Sequence, residues 1–532
     1  MEKMVVLGDE AVALGAIHAG LAAAYSYPGT PASEIMEFLI RESKEKRFIA
    51  TWSVNEKVAY EAALGVSYAG KRALVSMKHV GLNVAADPFI NSSLTGANGG
   101  LVVVVADDPG MHSSQNEQDS RFYAHFARIF CYEPSSHQEA YEMTRQAFEL
   151  SEAIGLPVMI RLVTRLAHSR SYLVPREPVK GQARQVGEKS HWTLLPINAR
   201  RRFEVVLNKQ AELKHFSEES PFNRLELSPE NSSLGIVAAG IAANYVLENL
   251  PEIKPQPSYL KVSTYPLPEK LFRKIIEKVE TLLIIEEGYP FIESTLKGII
   301  GLPGKKIKGK LSGDLPLSGE LTPDIVRQAL GLPLFIREQK KPLPLAARPP
   351  QLCPGCPHAD TFLALKEALK EFPQAIVFSD IGCYTLGYFP PYSSIDTCVC
   401  MGASIGMAKG AADVGQHPSV AVIGDSTFGH SGLTPLLEAA RSNSRMTVII
   451  LDNGTVAMTG GQKSYASGNF LLKMIEGLGV KREHLRVIEP LPRNLTKNAE
   501  IIREEINYPG LSVIVAVREC LQEARKKKRG QE

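Results

Sequence analysis

Residues 420–462 constrain this chain more than any other stretch: VAVIGDSTFGHSGLTPLLEAARSNSRMTVIILDNGTVAMTGGQ. An apolar run ends in Gly424-Asp425, a helical stretch follows, and a second apolar run ends in Asp452-Asn453-Gly454-Thr455. Two strands ending side by side bring Asp425, the Asn453 amide oxygen and the Thr455 backbone carbonyl to one point at the carboxyl edge of a sheet. A hard, oxygen-rich site of this kind suits Mg²⁺, which keeps part of its coordination shell for a phosphate partner. Gly424 and Gly454 let the backbone come close to that partner, with Ser426 beside them. Turns after strands often carry the same residues, so the rest of the chain has to decide.

A length of 532 residues suggests about three domains, each able to bury a core. With 44% apolar and 22% charged residues the composition is that of a globular protein, and a net charge of +3 gives no reason to expect nucleic acid as a partner. The apolar stretch at residues 11–24 is preceded by Asp9 and Glu10, where a signal peptide carries basic residues, so it reads as an amino-terminal helix of a cytoplasmic protein. No 18-residue apolar run predicts a membrane span. Seven cysteines, an odd number including a CxxC, fit a reducing compartment and a metal or cluster site better than disulfides.

The pattern along the chain is α/β. In residues 1–175 the apolar runs MVVLG, FIATWSV, RALVSM, LVVVVADD and LPVMIRLV alternate with alanine-rich helical stretches, which predicts a parallel sheet covered by helices. Residues 176–230 lose that pattern and read as a basic, polar linker or excursion. A second α/β unit spans 231–335, and the proline-rich 336–352 is a semi-rigid connector. The third unit, 353–520, has AIVFSDIG, SVAVIGD, MTVIILDN and LSVIVAVREC as its strands. A basic tail, 521–532, is read as a solvated end.

Within the first unit, Trp52-Ser53-Val54-Asn55-Glu56-Lys57-Val58-Ala59 sets Glu56 where a strand gives way to a helix, a position that can bury it against a cleft. A helix cap or dipole partner is the other reading of such a glutamate. Glu61, one turn on, faces a different side. In chain order, Tyr27-Pro28-Gly29-Thr30-Pro31-Ala32-Ser33-Glu34, WSVNEKVA, Met77-Lys78-His79-Val80-Gly81-Leu82-Asn83, Leu352-Cys353-Pro354-Gly355-Cys356-Pro357-His358, IGDSTFGHSG and LDNGTVAMTGGQ resemble the large subunits of the indolepyruvate:ferredoxin oxidoreductase family. The resemblance covers most of the chain. It implies three α/β domains of the thiamine diphosphate (ThDP) enzyme type: pyrimidine-binding, transketolase C-terminal-like and diphosphate-binding.

The resemblance also implies oxidative decarboxylation of aryl 2-oxo acids to aryl acetyl-CoA, with coenzyme A as co-substrate and electrons passed to ferredoxin. Mg²⁺ on Asp425, Asn453 and the Thr455 carbonyl would anchor the diphosphate beside Gly424 and Ser426, and Glu56 would activate the pyrimidine ring. Thr30, Lys78, His79 and Asn83 are candidates for holding substrate, and Gly81 for lining the cofactor. Each also has a structural reading as a turn, solvated or capping residue. His112, in a polar loop, reads as surface. A small (beta) subunit and a homodimer of such heterodimers are expected. A non-redox ThDP decarboxylase or carboligase, or a non-catalytic binding subunit, are the alternatives.

Cys353, Cys356, Cys383 and Cys520 are placed to gather at one edge of the third unit, where a [4Fe–4S] cluster, tetrahedral zinc or unligated thiols are all compatible with four sulfurs. The family's function favours iron. Cys398 and Cys400, in the apolar CVCMGAS, read as packing residues, although either could replace Cys520. The family's large subunits usually end in a ferredoxin-like domain with two clusters, and this sequence ends at Glu532 without those cysteines. Electrons are then expected to leave through the single cluster or a separate carrier. Met401 and Met458 could line an aryl pocket or be ordinary core.

Overall fold

The computed structural model describes residues 3–46, 48–181, 183–230, 232–335 and 350–530. The chain divides into two compact units, Met1–Glu338 and Gln339–Glu532. The first unit is built on a seven-stranded sheet in the order Thr264–Tyr265, Phe130–Tyr132, Val158–Val163, Leu101–Asp107, Ala73–Lys78, Ala23–Ser26, Ile49–Trp52. All neighbours run parallel except the edge strand Thr264–Tyr265. Leu101–Asp107 is buried at every residue, as a central parallel strand with both faces covered must be, and its unbroken apolar run follows from that. The strands Ile49–Trp52, Ala73–Lys78 and Leu101–Asp107 thus deliver Glu56, Lys78-His79 and Asp107-Asp108 to the carboxyl end of one sheet, where ligands of parallel sheets sit.

MVVLG does form a strand, Met4–Leu7, but outside that sheet. It pairs antiparallel with Arg170–Leu173, and its outward face is exposed. Behind it the helices Gly8–His18 and His137–Ile154 press closely together. A Cβ on Gly15 would stand 2.6 Å from the Tyr141 carbonyl oxygen, so only glycine allows this approach.

The second sheet of this unit runs in the order Lys306–Lys308, Thr281–Ile285, Leu234–Ala239, Ser258–Val262, Arg224–Glu226, with only the last strand antiparallel. The stretch 176–230, where the pattern is lost, holds a 23-residue helix, Pro196–Glu218, with proline in its first turn. Val206, Leu213 and Ser217 are its buried residues, and so narrow a stripe leaves little apolar periodicity to detect. The two sheets are joined by a wholly buried ionic cluster. Arg161 meets Asp107 at 2.6 Å, Asp119 at 3.5 Å and Glu133, while Arg121 meets Glu286 at 2.8 Å and donates to the Glu287 carbonyl at 2.9 Å. Glu286 and Glu287 directly follow the strand Thr281–Ile285. Burial drives the Glu287 carboxyl up to about 8 in spite of the nearby Lys310.

The second unit has a fully parallel five-stranded sheet in the order Ile376–Ser379, Ser419–Gly424, Met446–Asp452, Leu511–Val517, Leu485–Ile488. Ser419–Gly424 and Met446–Asp452 are adjacent and buried throughout. Most of the proline-rich connector, residues 336–349, lies outside the described residues. The basic tail forms the helix Leu521–Lys528, whose last turn carries Arg525, Lys526, Lys527 and Lys528 where a helix dipole favours cations. Among the described residues no helix is long and apolar enough to cross a membrane.

Candidate active site

Because Ser419–Gly424 and Met446–Asp452 pair in parallel with Gly424 opposite Leu451, Asp425 and Asn453 emerge at the same edge. The Gly454 N–H donates to Asp425 Oδ2 at 3.1 Å, and the Thr455 N–H donates to Asn453 Oδ1 at 3.0 Å. Gly454 has φ +77 and open space where a Cβ would be, so the turn folds back over the carboxylate at no steric cost. Asp425 is buried, and that burial, reinforced by the Asp452 carboxylate, pushes it up to about 7. The Ser426 Oγ beside it is buried and has no hydrogen-bond partner among the described residues. A carboxylate, an amide oxygen and an unpaired hydroxyl at one sheet edge fit Mg²⁺ and a diphosphate. A groove of about 560 Å³ opens there, lined in part by Asp452, Asn453, Gly454, Thr455, Lys463 and Gly468.

Two further residues, His358 and Tyr384, are brought to this edge by the fold. His358 Nε2 lies 3.1 Å from the Asn453 side-chain nitrogen, and burial lowers the imidazole to about 4. Tyr384 is buried edge-on to His358, with ring centroids 6.3 Å apart, and its hydroxyl donates to Asp380. A Cβ on Gly424 would stand 2.6 Å from the Tyr384 ring, so the glycine at this position makes room for the tyrosine. Asp380, pushed up to about 6 by burial, also accepts from the Ser404 hydroxyl at 2.6 Å.

Cys353, Cys356, Cys383 and Cys520 come together. Burial first, then the close approach of Cys356, Cys520 and Cys353, pushes the Cys383 thiol up to about 12. Cys353 and Cys356 share a turn closed by the Cys356 N–H donating to the Cys353 carbonyl at 2.9 Å. The Cys520 N–H donates to the Asn453 carbonyl at 3.2 Å, which ties this cysteine to the oxygen-rich edge. Cys398 and Cys400 are exposed and are not the packing residues that their apolar run suggests, since the segment 398–401 lies outside any strand or helix. Met458 is likewise exposed.

In the first unit, Glu56 is buried at the start of the helix Glu56–Tyr68, and Asn55 caps that helix by accepting from the Val58 N–H at 2.9 Å. Gly81 lies flat on the glutamate: a Cβ there would be 2.5 Å from Glu56 Oε1 and 2.9 Å from Cδ. Lys78, lowered to about 8 by burial against the opposing pull of Asp108 and Glu56, donates to the Ser113 carbonyl at 2.9 Å. The Ser113 hydroxyl in turn donates to the Thr30 carbonyl at 3.2 Å, so Lys78 and the Thr30 turn share one loop. His79 is buried with Nε2 on the Asn116 carbonyl at 3.1 Å, and among the described residues Nδ1 has no hydrogen-bond partner. Asn83 is exposed and accepts from the Tyr123 hydroxyl at 2.6 Å. Glu61 is exposed and paired with Lys57, and His112 stands 3.6 Å from Glu320 with half its side chain in solvent.

Comparison with known proteins gives the family. The family model for the thiamine pyrophosphate enzyme C-terminal TPP-binding domain matches residues 380–516, and the model described as pyruvate flavodoxin/ferredoxin oxidoreductase, thiamine diphosphate-binding, matches residues 14–198. Indolepyruvate oxidoreductase subunit IorA of Archaeoglobus fulgidus is 37% identical, covering 98% of this chain and 86% of its own length. The subunit of the same name from Methanothermobacter thermautotrophicus is 38% identical, covering 98% of this chain and 87% of its own. The fold is also that of 2-oxoglutarate:ferredoxin oxidoreductase from Magnetococcus marinus, with TM-score 0.52 over 62% of this chain and 65% of that one at 16% identity. With near full-length similarity of this order, the chain belongs to the IorA subunits of the indolepyruvate oxidoreductases, a family of thiamine diphosphate-dependent 2-oxo acid oxidoreductases.

Proposed function

We propose that this chain is the ThDP-carrying large subunit of an enzyme that oxidatively decarboxylates indolepyruvate and other arylpyruvates to the aryl acetyl-CoA, with electrons passed to ferredoxin. The observation that supports the reading is the Cys520 N–H to Asn453 carbonyl bond, by which the four cysteines, as a proposed cluster site, would lie beside the proposed diphosphate edge. A non-redox decarboxylase has no use for that juxtaposition.

Asp425, Asn453 Oδ1 and the Thr455 carbonyl would hold Mg²⁺ and through it the diphosphate, and Glu56 would meet the aminopyrimidine. Bound ThDP supplies the electron sink that lets carbon dioxide depart. Glu56, buried and packed against Gly81, would present its carboxyl group to the ring nitrogen as the proton-exchanging partner. Lys78, still cationic at neutral pH with its pKa about 8, would offer the substrate carboxylate a counter-charge from the end of its strand, beside the Ser113 loop that also meets Thr30. His79 keeps its buried Nδ1 available to a substrate polar group.

The four cysteines would hold a [4Fe–4S] cluster as the electron exit. Four thiolates suit such a cluster, and the redox step of this reading favours iron over zinc, which does not change oxidation state. A small partner subunit completes the enzyme in this reading.

The test is coexpression with the small subunit, anaerobic purification, and viologen reduction by a panel of 2-oxo acids with and without coenzyme A. CoA-dependent reduction that prefers arylpyruvates, and that drops ~10²–10⁴-fold in Glu56→Gln, is the expected result. Carbon dioxide release without dye reduction would overturn the redox reading. Absence of ThDP binding would mark a non-catalytic subunit.

A further inference from the structure

The amino-terminal helix Gly8–His18 opens with a carboxylate that the proposed reaction does not use. Asp9 is wholly buried, and among the described residues neither of its side-chain oxygens has a hydrogen-bond partner. Glu34, in the first turn of the helix Ser33–Lys46, and His168, at the end of the helix Thr164–His168, converge on it. One ligand atom from each of the three lies within 4.8 Å of the other two. His168 Nε2 stands 3.4 Å from Glu34 Oε2, a contact that lowers the Glu34 carboxyl and raises the imidazole.

An ionised carboxylate taken out of water with no donor is among the most costly groups in a protein interior, and a second carboxylate beside it adds repulsion. Burial, followed by Glu34 and Glu10, pushes the Asp9 carboxyl well above its usual range. Glu10 itself turns away: its carboxylate accepts the Leu7 N–H at 2.9 Å and stands 3.9 Å from Arg41. Either a proton or a cation must therefore compensate Asp9. A protonated Asp9 would donate its hydroxyl to Glu34 or His168, yet among the described residues neither Asp9 oxygen is hydrogen-bonded to either, although the three groups converge. A carboxylate that converges on two other ligand groups without bonding to them is what a ligand aimed at a shared ion shows, since its lone pair points at the centre.

We propose that Asp9, Glu34 and His168 form a second metal site, separate from the diphosphate edge, for one divalent transition ion of the zinc, manganese or iron(II) class. Two carboxylates balance the charge of such an ion, and the imidazole selects against Mg²⁺ and Ca²⁺, which favour all-oxygen shells. The ion pins three segments that are far apart in sequence. One of them begins at Ser33, whose hydroxyl accepts the Gly29 N–H at 2.9 Å. The site thereby steadies the turn that carries Thr30 without touching substrate.

The test uses the full enzyme with its partner subunit, stripped with a chelator and supplied with excess Mg²⁺ to fill the diphosphate edge. Mn²⁺ is then titrated and followed by electron paramagnetic resonance. One bound equivalent per chain that survives the Mg²⁺ excess is expected. It should be lost in Asp9→Asn and in His168→Gln, with iron content and ThDP binding unchanged. His168 is partly exposed, so the second substitution remains informative if the first prevents folding. No bound Mn²⁺, or an equivalent that both variants retain, would overturn the proposal. A rise in thermal midpoint in Asp9→Asn with no metal in the wild type would assign a shared proton instead.

Discussion

His358 Nε2 lies 3.1 Å from the side-chain nitrogen of Asn453, and because burial holds the imidazole pKa down to about 4, the ring is neutral and accepts the amide N–H. With its NH₂ group so committed, Asn453 turns Oδ1 to the side where the Thr455 N–H meets it at 3.0 Å. Both contacts set the amide in the same sense. The histidine two residues after Cys356 thus orients the oxygen that would face Mg²⁺.

Replacing that acceptor while keeping an aromatic ring isolates its role. His358→Phe is expected to weaken binding of Mg²⁺ and ThDP ~10–100-fold, the usual effect of removing a group that orients a metal ligand, with little change in thermal midpoint. Calorimetric titration measures it. Affinity equal to the wild type would show that Asn453 holds its orientation without the histidine.

Asp425 carries a pH dependence. Burial and the Asp452 carboxylate hold it up to about 7 in the cofactor-free chain, and a cation binds the ionised form. Affinity for Mg²⁺ and ThDP is therefore expected to level off above pH ~7 and to fall about tenfold per pH unit below it. Proton release on binding, measured in two buffers of different ionisation enthalpy, should be largest below pH 7. A flat affinity profile from pH 5 to 8 would contradict this assignment.

Gly81 gives a steric test of Glu56. A Cβ at residue 81 would stand 2.5 Å from Glu56 Oε1, and the helix around it tolerates alanine. Gly81→Ala should displace the carboxylate and lower kcat by at least tenfold while the protein stays folded, since a misplacement near 1 Å can cost ~10²-fold. Turnover at the wild-type rate would mean that the glutamate moves aside without consequence.

The buried ionic cluster predicts a large stability effect away from the site. Arg161→Met leaves buried Asp107 without its guanidinium, while Asp119 and Glu133 keep only Arg121, and loss of one partner from such a group costs about 3–5 kcal/mol. Denaturant unfolding of the chain should show that loss at neutral pH. A smaller deficit at pH 5 is expected, because burial already raises Asp107 and protonation relieves the unpaired charge.

Local patterns carried a good part of this reading. Leu101–Asp107, Ser419–Gly424 and Met446–Asp452 are unbroken apolar runs because parallel strands are buried on both faces. The residues that follow each run, Asp107-Asp108, Asp425 and Asn453, must then stand at a carboxyl edge. Short strands such as Phe130–Tyr132 and Leu485–Ile488 give no comparable signal, since three or four residues do not establish a period.

By itself the sequence determined the class of the fold, the family, and which residues end its central strands, because those follow from hydrophobic runs and from motifs that are contiguous in the chain. Only the tertiary structure decided who meets whom across long separations. Asn453 finds His358 from 95 residues away, Gly81 finds Glu56, and Asp9 finds Glu34 and His168. Arg161 is the clearest instance: inside the apolar run LPVMIRLV it looks like an interruption, and sheet order turns it into the cation that three buried carboxylates share. Such pairings depend on strand order and helix packing, which place together side chains that no local period relates.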